Sequence, residues 1–162
     1  MNKIILLTWM LFSLILDIKA EDKNLLFPTF KLLKMDSSTY LTNQDIASNK
    51  NTIFINFSPT CDHCERTIKS ILDNITKFSE TQFILTSFES FSSIRKFYFD
   101  YSLHTYSSVF IVQETDYSLT KQIQYSSFPC LIIFDKQQKF IKKIDEESNA
   151  KTLLKLLNIK SK

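Results

Sequence analysis

An apolar strand that delivers two cysteines into the first turn of a helix constrains this chain more than any other feature. The run Ile53-Phe54-Ile55-Asn56-Phe57 is apolar and β-branched, and it has the length of a buried central strand. Pro59 ends the ladder, because it has no N–H to donate. Thr60 then leads into Cys61-Asp62-His63-Cys64. Beyond it, Ile68, Ile71, Leu72, Ile75 and Phe78 recur at helical spacing on one face, with Glu65, Arg66, Lys69, Asp73 and Lys77 on the other. This pattern predicts a strand over 52–57 and a long helix from about Cys61 to Ser79.

Two thiols so placed can carry electrons. A helix N-terminus has unpaired N–H groups and a partial positive charge, which favour a thiolate over a thiol. Cys61 sits at that edge as the attacking sulfur. Cys64 lies one turn further in and can close a small disulfide, so the pair can exchange two electrons. As a structural staple the same disulfide closes too few residues to constrain the unfolded chain much.

Composition narrows the remaining classes. Apolar residues make up 44% of the 162, with 15 phenylalanines, which calls for a packed core rather than disorder. Glycine is absent, so turns that need a positive φ fall to Asn, Asp or Ser. The same absence excludes phosphate-binding loops and dinucleotide fingerprints. A net charge of +3 without a basic stripe gives no reason to expect nucleic acid as a partner.

Residues 1–20 read as a signal peptide. Lys3 supplies charge, Ile4 to Leu16 an apolar stretch, and Ile18-Lys19-Ala20 a small residue before a cut at Glu21. The stretch is shorter than the roughly 18 residues that a spanning helix needs. The alternative is an uncleaved N-terminal anchor. The remainder, 21–162, reads as one domain that keeps all three cysteines.

Along that domain, Lys31 to Met35 and Tyr40-Leu41-Thr42 read as a hairpin around Asp36-Ser37-Ser38. A short helical turn spans Asn43 to Ser48. After the cysteine helix come a strand at Gln82 to Ser87, a helix capped by Ser92 or Ser93, and a strand at Val109 to Val112. A helical segment follows from Asp116 to about Gln124. Leu131 to Phe134 and Lys139 to Ile144 form a hairpin, and Asn149 to Asn158 a closing helix. Strand–helix–strand crossovers give parallel neighbours and the final hairpin antiparallel ones, so the chain is an α/β sandwich on a mixed central sheet.

The strand, Cys61-Asp62-His63-Cys64, and Pro129 ahead of a hairpin and a last helix together resemble the thioredoxin fold. Phe27-Pro28-Thr29-Phe30 with its hairpin resembles the TlpA/ResA-like branch of exported thiol–disulfide oxidoreductases. The similarity covers roughly residues 25 to 158. It implies a thioredoxin-like three-layer α/β sandwich, with a mixed central sheet and an N-terminal hairpin extension. It also implies that Cys61 is the nucleophile, Cys64 the resolving thiol and Pro129 a cis-proline facing them. Phe128 then offers the backbone on which an extended substrate docks. The implied partners are exported protein thiols or disulfides and a redox partner protein. The implied place is the periplasm or cell envelope, and the implied state a monomer without a cofactor. Two departures stand out. Thr60 replaces the usual aromatic before the first cysteine. The buried acid of many thioredoxins has no counterpart among Ile55, Asn56 and Phe57, leaving Glu65 or water to move a proton at Cys64.

His63 and Asp62 are candidates for redox tuning. A cationic imidazole between the thiols stabilises the Cys61 thiolate, and a carboxylate beside it opposes this. Cys130 is either a third redox centre or a small buried apolar residue opening a strand. A second class of function is copper or zinc binding and delivery. It needs three or four converging ligands, and beyond Cys61, Cys64 and His63 the sequence offers only His104. A peroxidase reading fits less well, because Pro59-Thr60 stand too close to Cys61.

Overall fold

A computed structural model describes residues 25–159. The signal-peptide expectation for residues 1–20 lies outside them. Seven strands form one sheet: β1 Lys31–Lys34, β2 Tyr40–Thr42, β3 Asn51–Asn56, β4 Thr81–Ser87, β5 Val109–Gln113, β6 Cys130–Phe134 and β7 Phe140–Ile144. Among the described residues four α-helices accompany them: α1 Asp62–Leu72, α2 Phe91–Asp100, α3 Ser118–Ile123 and α4 Ala150–Leu156. The strand order is β2-β1-β5-β4-β3-β6-β7. β3, β4 and β5 run parallel, while β6, β7, β1 and β2 join antiparallel. The sheet is mixed, and its N-terminal hairpin extends the β5 edge, as the sequence suggests.

Every residue of β3 and β4 is buried, because both faces of the sheet are covered. Ile53, Ile55 and Phe57 pack with Ile68 and Ile71 of α1, Ile94 and Phe97 of α2, and Leu153 and Leu154 of α4. On the opposite face Phe54, Ile84, Val112 and Ile132 pack with Phe30, Leu32 and Leu41, and with Leu119 and Ile123 of α3. Gln82 is tolerated inside β4 because its amide bonds the Ala47 backbone in both directions and the Thr52 hydroxyl.

Three details differ from the sequence reading. The long helix stops at Leu72. Asn74 turns its amide back onto the Ser70 carbonyl at 3.0 Å, and a 3-10 turn, Ile75–Phe78, drops Phe78 into the core. The cap of α2 is Ser90 rather than Ser92 or Ser93: its hydroxyl accepts from the Ser93 N–H. Positive φ falls on Ser37, Ser102 and Asn158, but also on Tyr117, Gln124 and Gln138. No aspartate takes this conformation among the described residues. Asp36 and Asp135 instead accept backbone N–H groups across their turns.

Candidate active site

The β3–α1 junction places the two thiols. Phe57 N–H still pairs with the Thr86 carbonyl at 3.0 Å, and Pro59 then ends the ladder. Cys61 has extended backbone and is itself the N-cap of α1. Its sulfur accepts from the Cys64 N–H at 3.3 Å, doing at this helix start what a Ser or Asp oxygen does elsewhere. All three cysteines are free thiols. Cys61 is half-buried and Cys64 fully buried. Burial, and then the hydrogen bond with Cys61, push the Cys64 thiol up to about 12, with the Ser58 backbone opposing. Cys64 therefore holds its proton while Cys61 faces outward.

The β6 end of the sheet supplies the facing wall. The Phe128–Pro129 peptide is cis, as the resemblance implies. The Phe128 carbonyl oxygen lies 3.8 Å from the Cys61 sulfur, within reach of a thiol hydrogen bond. Pro129 is buried and Phe128 is 38% exposed. Cys130, next in line, is fully buried and pairs in register with Asn56 of β3. Its thiol is held protonated by burial and by Asp145 beside it.

His63 projects from the exposed face of α1 beside the pair. Its Nδ1 lies 2.7 Å from a Glu147 carboxylate oxygen and 2.7 Å from Arg66 Nη2. Protonated Nδ1 donates to Glu147; unprotonated Nδ1 accepts from Arg66. The ring is therefore anchored in either state. Arg66 also binds both Glu147 oxygens, at 2.7 to 3.1 Å. Arg66 first, and then His63, hold the Glu147 carboxyl at about 2, well below the usual range. Asp62 is exposed in the first turn of α1, where it adds to the field on Arg66. Burial first, and then the nearby Glu65 carboxylate, push the Tyr101 hydroxyl up to about 12.

Sequence reasoning missed Glu147. It lies 84 residues from His63, in the loop between β7 and α4, and nothing in its local pattern marks it. The loop is stapled to α1 by Ser148 N–H on the Thr67 hydroxyl and Ala150 N–H on the Ser70 hydroxyl. An aromatic ledge was also missed: the Phe88 ring lies 5.6 Å from that of Tyr117 and 5.5 Å from that of Phe128. Two of the three, Tyr117 and Phe128, are exposed. His104 packs instead against Tyr98 and Phe99. Among the described residues no three His, Cys, Asp or Glu side chains converge as metal ligands. No helix among them is long and apolar enough to cross a membrane.

No protein-family model matches the sequence, and no curated protein matches it. Solved structures do match the fold. A thioredoxin-like protein from Aeropyrum pernix aligns over 80% of this chain and 88% of its own, at 18% identity and a TM-score of 0.64. A secreted Mycobacterium tuberculosis disulfide oxidoreductase homologous to E. coli DsbE covers 80% and 95%, at 10% identity and a TM-score of 0.66. Peroxidoxin BcpB from Mycobacterium tuberculosis covers 84% and 96%, at 13% identity and a TM-score of 0.69.

Proposed function

Because this chain carries the thioredoxin fold, we propose that it is an exported thiol–disulfide oxidoreductase that works through Cys61 and Cys64. One observation carries the reading. An outward-facing thiol caps a helix, a buried protonated thiol stands one turn behind it, and the carbonyl ahead of a cis-proline lies 3.8 Å in front.

The chemistry balances with sulfur alone. The Cys61 thiolate attacks one sulfur of a client disulfide. A Cys61–client S–S bond forms, the client S–S bond breaks, and the leaving thiolate takes a proton. Cys64 then loses its proton and attacks the Cys61 sulfur. The Cys61–Cys64 disulfide closes and the client leaves as a dithiol. The client has gained two electrons and the pair has lost them. A dithiol partner protein restores the pair by the same exchange, and the reverse sequence oxidises a client. Glu65 or water accepts the Cys64 proton.

Phe128 offers its backbone to the extended client segment, and Pro129 fixes the direction of that carbonyl. His63, anchored by Glu147 and Arg66, tunes the Cys61 thiolate, and Asp62 opposes it. The hairpin β1–β2 supports the TlpA/ResA-like branch. The secreted relative and the export-signal pattern of residues 1–20 support action in the periplasm or cell envelope. The test is turnover of a model protein disulfide by the purified domain with a dithiol donor. Turnover that persists in chelator and disappears in Cys61→Ser is expected. No turnover in any direction overturns the reading.

A further inference from the structure

Behind the aromatic ledge a cavity of about 250 Å³ opens beside the Phe128 backbone. It is lined by Asn56, Phe88, Thr120, Tyr125, Ser126, Ser127 and Phe128. Its rim is apolar, formed by the Phe88 and Phe128 rings. Unpaired polar groups lie just behind its wall. Asn56 is fully buried, yet neither its amide nitrogen nor its amide oxygen has a hydrogen-bond partner. The hydroxyls of Tyr125 and of buried Thr86 meet no partner within hydrogen-bond geometry. Thr120 contributes no free O–H donor, because it donates to Glu114 at 2.7 Å.

Buried polar groups are almost always paired, so orphans just behind the wall of a hollow point to something that enters it. A primary amide leaves two donors and an acceptor waiting. The free groups are neutral, and the carboxylate of Glu114 is already engaged twice by Thr120. The fitting occupant is therefore neutral at its tip and aromatic along its body. Ordered water can fill the hollow when it is empty, and a polar tip can replace that water's bonds where a bare ring cannot.

We propose that this cavity is a specificity pocket for a tyrosine side chain of the client polypeptide, flanking the client's cysteine. The proposal rests on the oxidoreductase reading and names the substrate class of that same site. The client cysteine meets Cys61, the backbone passes Phe128, and the neighbouring side chain enters past the touching Phe88 and Phe128 rings with its hydroxyl turned toward the Asn56 amide. A site built to bond a hydroxyl rejects the analogue that lacks it, because its own buried groups are left unpaired.

The test uses disulfide-linked peptides that carry Tyr, Phe, Ala or Lys at each position within roughly two residues of the cysteine, the reach of a side chain along an extended backbone. At one of these positions kcat/KM for Tyr should exceed that for Phe and for Ala by about tenfold. Asn56→Leu should remove the Tyr-over-Phe preference. Should Asn56→Leu fail to fold, Tyr125→Phe should narrow the same preference. Equal rates for Tyr and Phe at every position, or a preference for Lys, overturn the pocket and leave the oxidoreductase standing. No turnover of any peptide overturns the oxidoreductase and the pocket with it.

Discussion

The Cys61 sulfur lies 3.8 Å from the carbonyl oxygen of Phe128. The end of β3 and the start of β6 are adjacent antiparallel neighbours, with Asn56 opposite Cys130. That register brings a helix-capping thiol and a cis-proline loop to the same end of two adjacent inner strands, although 67 residues separate them.

Burial separates the three thiols in reactivity. A thiol reacts as its thiolate and only where reagent reaches it. In the native reduced protein, iodoacetamide should label Cys61 and spare Cys64 and Cys130 until denaturant is added. Peptide mapping of the alkylated protein checks this. Labelling of Cys130 at the Cys61 rate would contradict the burial of β6.

Glu147 anchors His63 and Arg66, and its carboxyl is depressed from 4.5 to about 2. Its folded value lies below its unfolded one, so its contribution to stability is full above about pH 4.5 and lost as pH falls through about 2. Denaturant melts of wild type and Glu147→Gln should differ at neutral pH and converge toward pH 2. The same substitution removes the negative charge beside His63 and Arg66, so the reduction potential of the pair should shift while turnover is kept. An unchanged potential would remove His63 and its anchor from the tuning of Cys61.

Phe54 is fully buried, with the rings of Phe27, Phe30 and Phe134 at 5.7, 5.5 and 6.0 Å. This cluster fastens the segment ahead of β1 to the centre of the sheet. Phe54→Ala should cost about 3–5 kcal/mol in a chemical melt. A loss far below about 1 kcal/mol would mean that the N-terminal segment does not pack there.

Much of this was legible in the sequence because it is written locally. The β3 run, the cysteine spacing and the apolar face of α1 each sit in one stretch of chain, and period alone reads them. Ser90 was missed as a cap because Ser92 and Ser93 compete with it within one turn. The break after Leu72 was missed because the apolar spacing continues through Ile75 and Phe78 in a 3-10 turn. Tyr117 takes positive φ in the turn that Asp116 closes onto the Ser118 N–H, and Gln124 takes it at the end of α3, although neither residue type favours that conformation. Glu147 and the aromatic ledge are tertiary meetings that no spacing encodes. Asn56 stood out in the sequence only as part of the stretch that lacks a buried acid, and the cavity it lines is another tertiary meeting.

The most direct test of the central claim is a trapping experiment read by intact mass and peptide mapping. Reduced Cys64→Ser protein is mixed with a disulfide-bonded client, and the covalent adducts are mapped. One client per chain, joined at Cys61, is expected, with no adduct in Cys61→Ser. An adduct at Cys130, or equal trapping by Cys61→Ser, would contradict the assignment of Cys61 as the attacking sulfur.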